Sequence, residues 1–279
     1  MKAILILSII VSAASLLINQ SVTVDAVASA LNICAKSIIP SLLPFSVLSD
    51  LLINLNLFQK RNGLAHKAIE KLFHLPQEVI PVLLTGAISG FPVSARAVVR
   101  LFLDNKISKP TAEHLLFFTS NAGPAFILGI LGGSVFKSAR IGFFLWGIHI
   151  STAALLGVLF RTRTTEIRNR EVIHTYTRTS YSQIMVDAIT GSSRAVINVC
   201  VYILIFSVLI AHINNAVPTS WSLHPVWSVL LGTLEISTGL LQPLPLSKQQ
   251  LFLFSSTMLA WNGLCVHCQV LSVTAASGL

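Results

Sequence analysis

The chain has 279 residues, of which 53% are hydrophobic and only 10% charged, with a mean hydropathy of +0.77. A soluble domain carries about 25% charged residues, so this composition excludes one and predicts a single all-α, multipass membrane domain over residues 1–279. The net charge of +9 does not indicate nucleic acid. The basic residues fall in short connections between apolar runs, as the positive-inside rule places them, and no basic face with interleaved aromatics appears. The expected partner is therefore the lipid bilayer.

Six apolar runs approach the length needed for ~30 Å of hydrocarbon: residues 2–18, 38–57, 115–135, 141–160, 195–213 and 251–273. Residues 1–19 read as a first helix or a signal-like segment, and residues 19–25 then lie outside. Pro40 and Pro44 break the 38–57 run, with Lys36 and Asp50 near enough to its ends to snorkel. Residues 58–77 form a basic connection with Lys60, Arg61, Lys67 and Lys71.

Residues 79–103 form a hydrophobic segment interrupted by Gly86-Ala-Ile-Ser-Gly90-Phe-Pro92. Glycine frees the backbone, and Pro92 removes a donor and disfavours helix before it. A segment broken in this way can enter the membrane and return on the same side. That reading leaves fifteen Lys and Arg inside, namely residues 2, 60, 61, 67, 71, 96, 100, 106, 109, 161, 163, 168, 170, 178 and 194. Lys137, Arg140 and Lys248 lie outside, and Lys36 lies within a helix. Ser89 and Ser94 flank the break, where half-helix N-termini could point N–H groups at a solute; Ser94 could equally cap the returning helix. Arg96 could bind an anion or anchor the hairpin at the interface.

The 115–135 run is broken by Asn121-Ala-Gly123-Pro124, and His149 sits alone in 141–160, suited to hydrogen-bond a neighbouring helix. Residues 161–194 read as a basic cytoplasmic loop. The second half has the opposite polarity: 195–213 runs outward, and 226–241 forms an outer hairpin interrupted by Gly232-Thr-Leu-Glu235-Ile-Ser237-Thr-Gly239. In 251–273, Asn262-Gly263 and His267-Cys-Gln269 interrupt the final helix. Glu235 is ionisable within an apolar segment, where charge is expensive and faces a cavity or a partner. A helix cap is its structural alternative.

The halves are weakly self-similar: Pro44-Phe-Ser-Val-Leu48 with Ile205-Phe-Ser-Val-Leu209, Ile88-Ser89 with Ile236-Ser237, Ser108-Lys109 with Ser247-Lys248, and Asn121-Ala-Gly123 with Asn262-Gly263. Their shared order predicts inverted repeats over residues 24–160 and 195–279. The second repeat has no counterpart of 141–160, which predicts a homo-oligomer or a shortened family member. Ser89, Ser94, Asn121, Glu235, Ser237, Asn262 and Gln269 are the expected contacts of a small polar solute held between the hairpins and broken helices. Cys265-Val-His267-Cys268 suggests a metal ion, but no second ligand pair follows at zinc-site spacing, so no metal and no cofactor are expected. No hydrolase or phosphotransfer motif is present, so an enzyme is not expected.

Ser89-Gly-Phe-Pro-Val-Ser-Ala-Arg96, Phe118-Thr-Ser-Asn-Ala-Gly-Pro124, Glu235-Ile-Ser-Thr-Gly239 and Asn262-Gly-Leu-Cys-Val-His-Cys-Gln-Val-Leu271 resemble the YlbJ-type sporulation integral membrane proteins. That family carries the nucleoside-recognition, or Gate, domain. The resemblance runs from about Asn32 to the end. It implies a protein of the bacterial inner membrane, needed for resistant spores, with a transporter-like fold whose hairpins lie near a transport path. A membrane scaffold that transports nothing and a metal-ion permease are the rival readings.

Overall fold

A computed structural model describes residues 15–55, 64–161, 180–222, 224–242 and 244–279. The described residues are helical and contain no strand. Among the described residues, four helices are long and apolar enough to cross a membrane: Lys109–Val135, Ala139–Leu159, Tyr181–Ala216 and Lys248–Ser277. The pair Gln20–Ile38 and Leu42–Leu52, bent by 49°, makes a fifth if counted as one span. The protein is therefore an all-α multipass membrane protein. Residues 1–14 of the expected first helix, residues 58–63 of the first basic connection and residues 162–179 of the basic loop lie outside the described residues.

Two expectations are corrected. Before them in the chain, Gln20–Ile33 is helical, and no glycine or proline occurs before Pro40 to stop it. Residues 181–194, expected as loop, open the 36-residue helix Tyr181–Ala216. Ala188 and Ser192, four apart, are buried while Asp187 and Arg194 are exposed, which is amphipathic helix spacing. At 1.5 Å per residue this helix is about 54 Å long, more than a bilayer core requires. His267-Cys-Gln269 lies inside helix Gly263–Thr274 and interrupts nothing, because no glycine or proline follows Gly263 until Gly278.

The chain forms two compact units, Ile38–Val199 with Val266–Leu279, and Met1–Ser37 with Cys200–Cys265. They are called here the Gly90 unit and the Glu235 unit. In the Gly90 unit, helices Ile80–Ile88 and Val93–Leu103 pack against each other as a hairpin. The second arm buries Ser94, Ala97, Val98 and Leu101, the i, i+3, i+4, i+7 face of a helix. That face joins Leu75, Val82, Leu115 and Phe118 in the core. Phe73, from the amphipathic helix Leu64–Phe73, stacks on Phe118 with centroids 5.5 Å apart.

In the Glu235 unit, His212 ties the long helix to the first one. Its Nδ1 bonds the Ser15 hydroxyl and its Nε2 the Thr23 hydroxyl, each at 2.8 Å. The second hairpin pairs Pro225–Leu234 with Ile236–Leu241. Helix Lys248–Trp261 follows, opened by a capping box in which Ser247 and Gln250 satisfy each other's backbone N–H.

Candidate functional site

Neither hairpin arm is long enough to cross a bilayer. Ile80–Ile88 has nine residues and Val93–Leu103 eleven, about 14 and 17 Å at 1.5 Å per residue, against ~30 Å of hydrocarbon. Pro225–Leu234 and Ile236–Leu241 have ten and six, about 15 and 9 Å. A hairpin with arms this short turns within any bilayer it enters. Backbone polar groups survive there only when protein or a polar cavity satisfies them.

In the Gly90 unit they are met by the break in the following helix. Ser89 and Gly90 both donate their backbone N–H to the Thr85 carbonyl, and Phe91 N donates to the Asn121 carbonyl at 2.9 Å. Gly90 has φ +73°, and a Cβ there would lie 2.5 Å from Gly123 N and 2.6 Å from the Asn121 carbonyl. A Cβ on Gly86 would lie 2.7 Å from the Thr119 carbonyl. Backbone thus rests directly on backbone, which a side chain would prevent. The Phe91–Pro92 bond is cis.

The receiving break is also closed by specific partners. Helix Lys109–Thr119 ends at Ser120, Pro124 opens the next helical turn, and Gly123 is its N-cap residue. Asn121 Nδ2 donates to the Phe118 carbonyl at 2.9 Å. His149 Nε2 accepts the Ala122 N–H at 3.1 Å, so the ring bonds a neighbouring segment as expected. An N–H that proline geometry freed is thereby satisfied inside the protein.

The Glu235 unit repeats this arrangement with different residues. Asn262 is left-handed at φ +64° and breaks the helix after Trp261. Gly263, at φ +81°, would place a Cβ 3.2 Å from Gly232 O and Ile236 N. Trp261 Nε1 donates to the Thr233 carbonyl at 3.1 Å. The arms themselves touch through glycine: a Cβ on Gly239 would fall 2.4 Å from Gly232 Cα. In each unit, then, a hairpin tip is docked on the break of the helix that follows. Ser108 and Ser247 N-cap those two following helices.

Glu235 is 4% exposed and caps Ile236–Leu241. Its Oε1 accepts from Ser237 N and Oγ at 3.1 and 2.9 Å, and its Oε2 from Thr238 N and Oγ1, both at 2.8 Å. A carboxylate has about four lone-pair positions, and all four are occupied by Ser237 and Thr238. At the break of the following helix, the Asn262 Oδ1 is buried and has no hydrogen-bond partner among the described residues.

Of the other expected site residues, Ser89 bonds Ser49 Oγ at 2.8 Å and donates to the Phe45 carbonyl at 3.3 Å. It meets Asn121 only through the neighbouring backbone. Ser94 does not cap: Pro92 is the N-cap residue and no side chain caps that helix. The Ser94 hydroxyl is turned to the core face, fully buried, without a partner among the described residues. Gln269 is buried on helix Gly263–Thr274 in the Gly90 unit. No group of three His, Cys, Asp or Glu side chains among the described residues could hold a metal ion; Cys265 is buried while His267 is exposed.

Asp50 does not snorkel, and Arg96 does more than anchor. Asp50 is 8% exposed, and its Oδ2 accepts from Arg96 Nη2 and, at 3.0 Å, from Ser192 Oγ. Arg96 Nη1 also donates to the Gly191 carbonyl. One ion pair thus links the second hairpin arm, helix Ile39–Asn54 and helix Tyr181–Ala216. Ser46, Ser49 and Asp50 share one helix face by i, i+3, i+4 spacing, and all three are buried. Sequence reasoning treated the two charges separately; the available signal was an opposite pair inside two apolar segments.

No protein-family model matches the sequence, and no solved structure matches it. The chain is similar to the sporulation integral membrane protein YlbJ of Bacillus subtilis (strain 168), with 25% identity over an alignment that covers 95% of this chain and 74% of that protein.

Proposed function

We propose that this chain is a sporulation protein of the bacterial cell membrane, with a Gate-like transporter fold that binds or moves a small polar solute. No catalytic step belongs to this reading. The observation that carries it is the docked hairpin formed twice, each time on a broken helix. Discontinuous helices of this kind supply binding groups for solutes in transporters built from repeats. Similarity to YlbJ over 95% of the chain supports the sporulation setting. The solute-facing groups proposed are those at the breaks, Asn121 and Asn262 first.

A non-transporting scaffold is the second reading, and one observation favours it: the Glu235 carboxylate has no acceptor position left for a solute. Expression of this chain in Bacillus subtilis lacking YlbJ tests both. The solute reading expects the chain to restore heat-resistant spores, and the Asn121→Ala, Asn262→Ala double variant to reach the membrane at normal abundance without restoring them. Full restoration by the double variant would count for the scaffold and against the solute.

A further inference from the structure

The Asp50–Arg96 pair has unused capacity on both sides. A guanidinium carries five N–H donors. Arg96 uses one on the Gly191 carbonyl and one on Asp50, leaving three without a partner among the described residues. Its side chain is 26% exposed against 12% for Asp50, so part of Arg96 is reachable. In a membrane protein that part must face water or a polar ligand, because lipid would leave charged N–H groups unsolvated. On the other side, both bonds to Asp50 go to Oδ2; Oδ1 has none among the described residues.

Charge limits what could use this capacity. Ile80–Ile88 and Pro124–Phe126, which pack on Ile39–Asn54, carry no titratable residue. Arg100 on the second arm and Asp187 and Arg194 on the long helix are exposed. Among the described residues, Arg96 is therefore the charged side chain that faces Asp50. The pair is neutral, and an anion added to it would leave one uncompensated buried negative charge, which is expensive. The addition becomes neutral if Asp50 takes up a proton.

We propose that Arg96 receives the anionic group of a singly charged solute, a carboxylate or a phosphate monoanion, and that Asp50 is its resident counterion, protonated at Oδ1 as the anion arrives. The inference rests on the solute reading above. The step is balanced: the Arg96–Asp50 ion pair opens, an Arg96–anion pair forms, and one proton from water moves to Oδ1. Protonated Asp50 stays hydrogen-bonded to Ser192. Planar guanidinium matches either oxyanion bidentately.

Formate is the probe, because it is the smallest carboxylate. The purified full chain in detergent is melted with and without sodium formate, replaced by bulky gluconate at constant ionic strength, at about pH 5.5 and about pH 8, both above formate's own ionisation. The wild type is expected to melt about 3 °C higher at ten times the dissociation constant, with tighter binding at the lower pH. Asp50→Asn, neutral by construction, should bind formate equally at both. Arg96→Gln should show no rise, and Arg96→Lys, which keeps the charge without the fork, a smaller one. No formate effect in the wild type, or an equal one at both pH values, would overturn the proposal. If Asp50→Asn does not accumulate, the two wild-type measurements still decide. Absent formate binding with a failing Asn121/Asn262 double variant refutes this inference alone; formate binding with a fully active double variant refutes the solute reading alone.

Discussion

Replacing Gly90 by alanine probes the contact on which the first docked hairpin depends. Two effects add. The left-handed conformation at φ +73° costs a residue with a Cβ about 1–2 kcal/mol. The new methyl would also lie 2.5 Å from Gly123 N, 2.6 Å from the Asn121 carbonyl and 2.9 Å from Gly123 Cα. All three are backbone atoms of a segment held by Pro124, His149 and Asn121, so none can swing aside as a side chain could. Overpacking of this kind costs about 1–3 kcal/mol, giving roughly 2–5 kcal/mol in all. For a chain of this size that is a fall of about 5–15 °C in melting temperature. The assay is thermal unfolding in detergent, followed by a thiol-reactive dye that reports exposure of the buried Cys34, Cys200 and Cys265. Gly129→Ala is the control, since a Cβ there meets nothing within 4 Å. A Gly90→Ala protein melting within about 1 °C of the control would refute the docking of the tip on the 120–123 break.

Three further outcomes are expected. Arg96→Gln leaves Asp50 buried beside Ser192 alone and should lower stability by about 3 kcal/mol, the lower end for a broken buried pair because Arg96 is partly exposed; expression level and melting temperature measure it. Glu235→Gln replaces two acceptor positions with N–H donors that face the Ser237 or Thr238 N–H. It should cost about 1–2 kcal/mol, read as a lower melting temperature, whereas an unchanged one would contradict the capping role. Cys34 and Cys200, whose thiols hydrogen-bond each other, should form a disulfide under copper-phenanthroline oxidation. Peptide mass mapping should find that crosslink, and should lose it in Cys200→Ser.

The breaks were legible because glycine, proline and asparagine act locally: Gly90-Phe-Pro92, Asn121-Ala-Gly-Pro124 and Asn262-Gly263 each interrupt a helix where the sequence places them. Helix extent was less legible where charge was used as a boundary. The 181–194 stretch was expected as loop for its place in the basic connection, yet one buried face suffices to keep it helical. Partners were not legible at all. Nothing in Asp50 or Arg96 alone says that they meet across 46 positions, nor does Ser94 disclose that its hydroxyl turns to the core instead of capping. Glu235 stood out as an intramembrane charge, but its four bonds come from Ser237 and Thr238, a local capping pattern that the sequence Glu-Ile-Ser-Thr already contained.

The most direct test of the re-entrant hairpin uses its two ends. Glu78 and Asn105 are exposed residues flanking the arms Ile80–Ile88 and Val93–Leu103. Single cysteines at these positions, in a cysteine-free background, are labelled with a membrane-impermeant maleimide from each side. A hairpin that enters and returns predicts labelling of both from the cytoplasmic face; one labelled from each side would mean that the segment crosses the membrane and would contradict the re-entrant fold.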